Sequence, residues 1–133
     1  ETAIAVASAK DLSYSHVDDT DKKASANSAR PDFLLLLYPG IQMGFLKKEA
    51  LKRLPKTFVA YAANDPCVPA AIARPWAQMA KAEIKAPVEV IEYADGKHGW
   101  GSCDYYPQFR GMDNCNWRQT AEAFIRKNVM GES

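Results

Sequence analysis

The sequence has little net charge, few cysteines and histidines, and no long apolar run. Lysine and arginine total 17 against 16 acidic residues, so no net field draws the chain to nucleic acid or to an anionic membrane surface. No apolar stretch approaches the roughly 20 residues needed to cross a bilayer. The three cysteines form no Cys-x-x-Cys and accompany no paired histidines, which argues against a zinc site of familiar spacing, so no metal is expected. No glycine-rich phosphate loop follows an apolar run, so neither a nucleotide nor any other cofactor is implied. Internal repeats and low-complexity segments are absent, and no serine stands in a Gly-x-Ser-x-Gly. The start, Glu1-Thr2-Ala3, has neither an initiator Met nor the basic, apolar, small-residue order of a signal peptide. It reads as a processed or truncated end.

What is present fits one domain, or part of one, over residues 1–133. Phe33-Leu34-Leu35-Leu36-Leu37-Tyr38 is a continuous apolar run between Pro31 and Pro39-Gly40. The prolines hold it to strand length, and the pattern predicts a strand buried on both faces. Residues 57–63 and 88–93 are richer in β-branched and aromatic side chains and predict two further strands. Helices are predicted over residues 2–9, 45–53, 70–85 and 117–129, the third with a kink or a start at Pro75. Residues 10–30 are a polar surface excursion, and His16 within it reads as a solvated loop histidine. Strands alternating with helices give an α/β fold, an open and mostly parallel sheet flanked by helices.

In such a sheet, functional side chains gather outside the carboxyl ends of the strands. Asp65 follows the second predicted strand and His98 the third, so both are expected at one edge. An acid that orients a histidine, which in turn accepts a proton from a nucleophile, is the division of labour of acyl transfer. Each residue also has a plain structural reading, Asp65 as a turn former before Pro66 and His98 as part of a glycine-flanked loop. Their order and their places behind strands favour the paired reading. Cys103 and Cys115 bracket a loop rich in aromatic, glycine and Asp/Asn residues and are a candidate disulfide, which would lean the protein toward a secreted or periplasmic location. Two free thiols are the alternative. Cys67, left unpaired, reads as packing rather than chemistry.

Asp65-Pro66-Cys67-Val68-Pro69 and His98-Gly99-Trp100-Gly101 resemble the acid loop and histidine loop of the α/β-hydrolase superfamily. The chain is similar in particular to bacterial esterases of the acetyl-xylan-esterase-like and carboxylesterase type, and Arg30-Pro31-Asp32-Phe33 through Tyr38-Pro39-Gly40 resembles a strand of that group. The resemblance covers nearly the whole chain but only the carboxyl-terminal half of the family's domain, its last three strands. It implies that Asp65 is the orienting acid and His98 the general base, and that the serine elbow and oxyanion donors lie before Glu1. The serines present, among them Ser8 and Ser102, occupy no strand-to-helix elbow. The segment from Ser102 to Asn116 is longer and more aromatic than the family's usual link. Tyr105, Tyr106, Phe109 and Trp117 are therefore available to a wall that contacts substrate, and Trp100 in the histidine loop is a further candidate, packing being the alternative.

The expectation is a carboxylic ester hydrolase acting on a small ester or an acetylated carbohydrate, with the isolated chain inactive. A non-catalytic α/β binding module is the alternative from another class, and a dienelactone-hydrolase-like or peptidase relative shares the same pair. An unpaired apolar edge on the first strand predicts either a missing amino-terminal companion or self-association.

Overall fold

The computed structural model describes Ile4, Ala7, residues 30–40 and residues 48–132. The polar segment with His16 lies outside the described residues, as do Ser8, Ser13, Ser15, Ser25, Ser28 and Ser133. Among the described residues, three strands form one sheet in the order β1 (Phe33–Leu37), β2 (Lys56–Ala62), β3 (Val88–Tyr93). Both pairings are parallel, with Leu37 beside Ala60 and Ala62 beside Tyr93, so the three carboxyl ends share one edge. Helix α1 (Lys48–Leu51) leads into β2, α2 (Ala70–Glu83) connects β2 to β3, and α3 (Trp117–Ile125) closes the chain after two short 3-10 turns. The open, parallel α/β sheet predicted from the alternating pattern is the observed architecture.

Period-two alternation divides β2 between two cores. Val59 and Tyr61 join Leu34, Leu36, Leu51 and the α2 residues Ala73, Trp76, Ala77 and Ala80 on one face. Phe58, Ala60 and Ala62 face the other way, onto Trp100, Phe109, Ala121 and Phe124. The alanines of α2 recur three and four residues apart and let that helix lie close on the sheet, with Trp76 filling the space between them. Ile4 and Ala7 are helical and fully buried, and both belong to the α2-side core.

Several boundaries differ from the sequence expectation for physical reasons. Among the described residues β1 is unevenly covered: Leu34 and Leu36 are buried, whereas Leu35, on the other face, is 37% exposed beside a depression lined by Trp117, Ala121 and Ile125 of α3. Pro75 neither starts nor ends its helix. It removes the hydrogen bond that would have reached the Ala71 carbonyl, and since both residues are on the exposed side, water can take that carbonyl's place as partner. The helix expected over 45–53 is helical from Lys48 to Leu51, and residues 41–47 lie outside the description. After Ile125 the last helix widens into a π-type turn, Arg126–Met130.

Candidate functional site

Asp65 stands three residues beyond the end of β2 and His98 five beyond the end of β3, so both side chains emerge at the shared carboxyl edge. Nδ1 of His98 lies 2.7 Å from Oδ2 of Asp65. The other carboxylate oxygen, Oδ1, accepts the backbone N–H groups of Cys67 and Val68 at 2.7 and 2.8 Å. This is an Asx-type turn, the local preference of Asp ahead of Pro, and it fixes the carboxylate independently of the histidine. The Asp65 side chain is fully buried, while 35% of the His98 side chain remains open. A carboxylate can only accept, so Nδ1 of His98 carries the shared proton and Nε2 is left as a proton acceptor. The arrangement is an imidazole held from behind by a buried carboxylate, with part of its ring accessible.

The histidine loop is held by neighbours that sequence patterns did not single out. Asn64 accepts the backbone N–H groups of Gly96 and Lys97 at its Oδ1, at 3.1 and 2.9 Å, and donates from Nδ2 to Asp95. It thus ties the loop after β3 to the loop after β2. Lys97 adopts φ 54°, a left-handed conformation that disfavours a residue with a Cβ, and Gly99 follows at φ 74°. His98 is therefore presented between two left-handed residues. Tyr38, the first residue past β1, packs its ring against the imidazole with centroids 4.8 Å apart and edge-on against Trp100 at 4.9 Å. Its own φ of 37° turns the chain out of the strand toward the site. A Tyr-Pro-Gly directly after an apolar strand was the available signal for it. One loop from each strand thus contributes a side chain to the same point.

The aromatic residues proposed to contact substrate do not form one wall. Trp100 is fully buried beneath Tyr38 and Tyr93. It presents no surface to a ligand, so that expectation is corrected: its bulk supports Tyr38 from behind. Tyr105 is exposed, and Tyr106 sits edge-on to Phe109 rather than to His98. Cys103 and Cys115 are joined in a disulfide with their Cα atoms 5.7 Å apart. Trp117 Nε1 donates to the Gly101 carbonyl at 2.6 Å, so two links bind the segment just after His98 to the start of α3. Ser102, the one serine among the described residues, has a buried Oγ without a hydrogen-bond partner and does not engage His98. Cys67 is exposed, contrary to the packing role expected for it. The Asx-type turn directs the backbone at 67 and 68 inward and leaves its side chain at the surface.

No protein-family model matches the chain, and no curated protein matches it. Among solved structures it is similar to the acetyl ester-xyloside bifunctional hydrolase from Caldicellulosiruptor lactoaceticus, with a TM-score of 0.61 and 20% identity. The chain shares its fold with a hydrolase. The likeness covers 94% of this chain and 51% of the other, so the chain spans about half the length of that enzyme. At this identity the likeness is one of fold.

Proposed function

We propose that these residues are the acid and base half of a serine ester hydrolase of the α/β type, with Asp65 orienting His98 and His98 moving the proton. The observation that carries this reading is the 2.7 Å contact between a fully buried carboxylate and a partly open imidazole at the carboxyl edge of a parallel sheet. The fold shared with an enzyme named for acetyl ester and xyloside hydrolysis supports it, and favours an acetylated carbohydrate or another small carboxylic ester as substrate. The nucleophile and the oxyanion donors then come from a segment outside these 133 residues. His98 would take the proton of that serine as it attacks the ester carbonyl, and return it to the leaving alcohol. The disulfide favours an oxidising compartment, secreted or periplasmic.

The test is turnover of a chromogenic acetate ester. The 133-residue chain is expected to be inactive, and a longer protein that supplies the serine elbow is expected to be active. Replacing His98 by Ala in the longer protein should lower kcat by roughly 10²–10⁴-fold, the usual contribution of a positioned base. Turnover that survives His98→Ala overturns the assignment.

A further inference from the structure

Cys67 is the one free cysteine of the chain, and the turn that fixes Asp65 also fixes where the Cys67 backbone lies. One side-chain donor atom from each of Asp65, Cys67 and His98 falls within 4.8 Å of the others. Asp65 and His98 are 33 positions apart in the chain, so no spacing motif reveals the cluster. Thiolate, imidazole and carboxylate together are a donor set suited to a borderline-soft divalent cation, and three such ligands leave a fourth position for water. Tetrahedral zinc, at about 2.3 Å from sulfur and about 2.0–2.2 Å from nitrogen and oxygen, holds its ligands roughly 3.5 Å apart. The donors as they stand lie within 4.8 Å of one another, so binding draws them closer, and the exposed Cys67 side chain is free to change rotamer as it does so.

We propose that Asp65, Cys67 and His98 bind a thiophilic divalent cation such as Zn²⁺, and that its binding silences proton transfer at His98. Cys67 releases its thiol proton to solvent and binds as the thiolate. The cation displaces the proton from His98 Nδ1, the neutral ring takes up the tautomer protonated at Nε2, and Asp65 Oδ2 turns from that proton to the metal. Nε2 then has no lone pair for a nucleophile's proton. The binding stands on the cluster alone, whereas the silencing rests on the hydrolase reading.

Zn²⁺ titration by calorimetry and Co²⁺ titration by absorbance, both without reductant so that Cys103 and Cys115 stay joined, test the binding. One equivalent should bind, with a thiolate-to-cobalt charge-transfer band. Loss of even an outer-shell partner costs about 10–100-fold in metal affinity, so Cys67→Ser is expected to weaken binding by roughly 100-fold. His16→Ala, which removes the other histidine of the chain, should leave binding unchanged. Unchanged affinity in Cys67→Ser, absence of the cobalt–thiolate band, or loss of binding in His16→Ala overturns the site. In the longer, active protein, Zn²⁺ should inhibit ester turnover reversibly with chelator, and Cys67→Ser should escape inhibition. Equal inhibition of Cys67→Ser overturns the silencing. Failure of the hydrolase reading would appear instead as turnover that ignores His98→Ala.

Discussion

At the scale of single residues, the Asp65 carboxylate does two jobs with two oxygens, one holding its own turn and the other holding His98. Replacing it by Asn separates them. The amide oxygen can still accept the Cys67 and Val68 N–H groups, but the amide nitrogen then faces Nδ1 and forces that atom to accept, which moves the ring proton to Nε2. Asp65→Asn in the active protein should therefore keep the fold and lower kcat by about 10⁴-fold, the loss typical of a wrong tautomer. Far-UV circular dichroism together with turnover checks both halves. A second prediction concerns pH. Tyr61 is buried and donates to Glu92 Oε2 at 2.8 Å, and Arg74 from α2 pairs with the same carboxylate. Burial first, and the Glu92 partner second, push the Tyr61 hydroxyl from 10.0 up to about 12. The folded state then holds this proton more tightly than the unfolded state, so stability falls as pH rises from about 10 to about 12. Thermal melts over that range should show the fall, and Tyr61→Phe should flatten it. An equal slope in the variant would exclude Tyr61 as the cause.

At the scale of elements, the loop that carries His98 is the least regular part of the site and the most tied down. Asn64 holds its beginning, and the disulfide and the Trp117 bond hold its end. Cross-linking cysteines twelve positions apart restricts the unfolded chain by about 2–3 kcal/mol. Cys103→Ser with Cys115→Ser should lower stability by about that amount and raise amide exchange between Gly96 and Cys103 more than in β2. Equal protection in both forms would mean that the disulfide does not order the loop. Gly96 is a point of close approach rather than of unusual backbone: a Cβ there would meet the Ala62 Cβ at 3.0 Å and the Asn114 side chain at 3.2 Å. Gly96→Ala should cost roughly 1–3 kcal/mol as the histidine loop is pushed off the sheet, read as a lower midpoint in denaturant. Helix 70–83 was legible because Trp76, Ala80 and Ile84 recur at helical spacing and are buried, although Ile72, read as part of the same face, is exposed. The bounds of β1 were legible because Pro31 and Pro39 restrict what can lie between them. The half-open state of β1 was not legible, since Leu35 reads the same as Leu34 and Leu36 in sequence and differs from them only in what packs above it.

At the scale of the whole molecule, β1 stands at the edge of the sheet with an apolar groove beside it. Leu35, Trp117, Ala121, Ile125 and Met130 line a depression of about 260 Å³, rimmed by Arg118, Glu122 and Arg126. Among the described residues this edge has no partner strand, and an apolar edge beside an apolar groove invites one. We expect the 133-residue chain to self-associate or to take up a complementary amino-terminal segment, and Leu35→Lys to suppress self-association; a monodisperse wild-type monomer in light scattering would count against this. Sequence by itself determined what depends on neighbours along the chain. Apolar periodicity and proline punctuation specified the strands and α2, their alternation specified a parallel α/β sheet, and the Asp-Pro turn and glycine-flanked histidine placed two polar residues past strand ends. Only the tertiary structure decided what depends on distance through space. It brought Asp65 to His98, set Tyr38 against the imidazole, buried Trp100 behind the site and left Cys67 beside the pair. The physical reason is that local preference acts over a few residues, whereas these contacts join segments some thirty to sixty positions apart and form only when parallel pairing brings three strand ends to one edge.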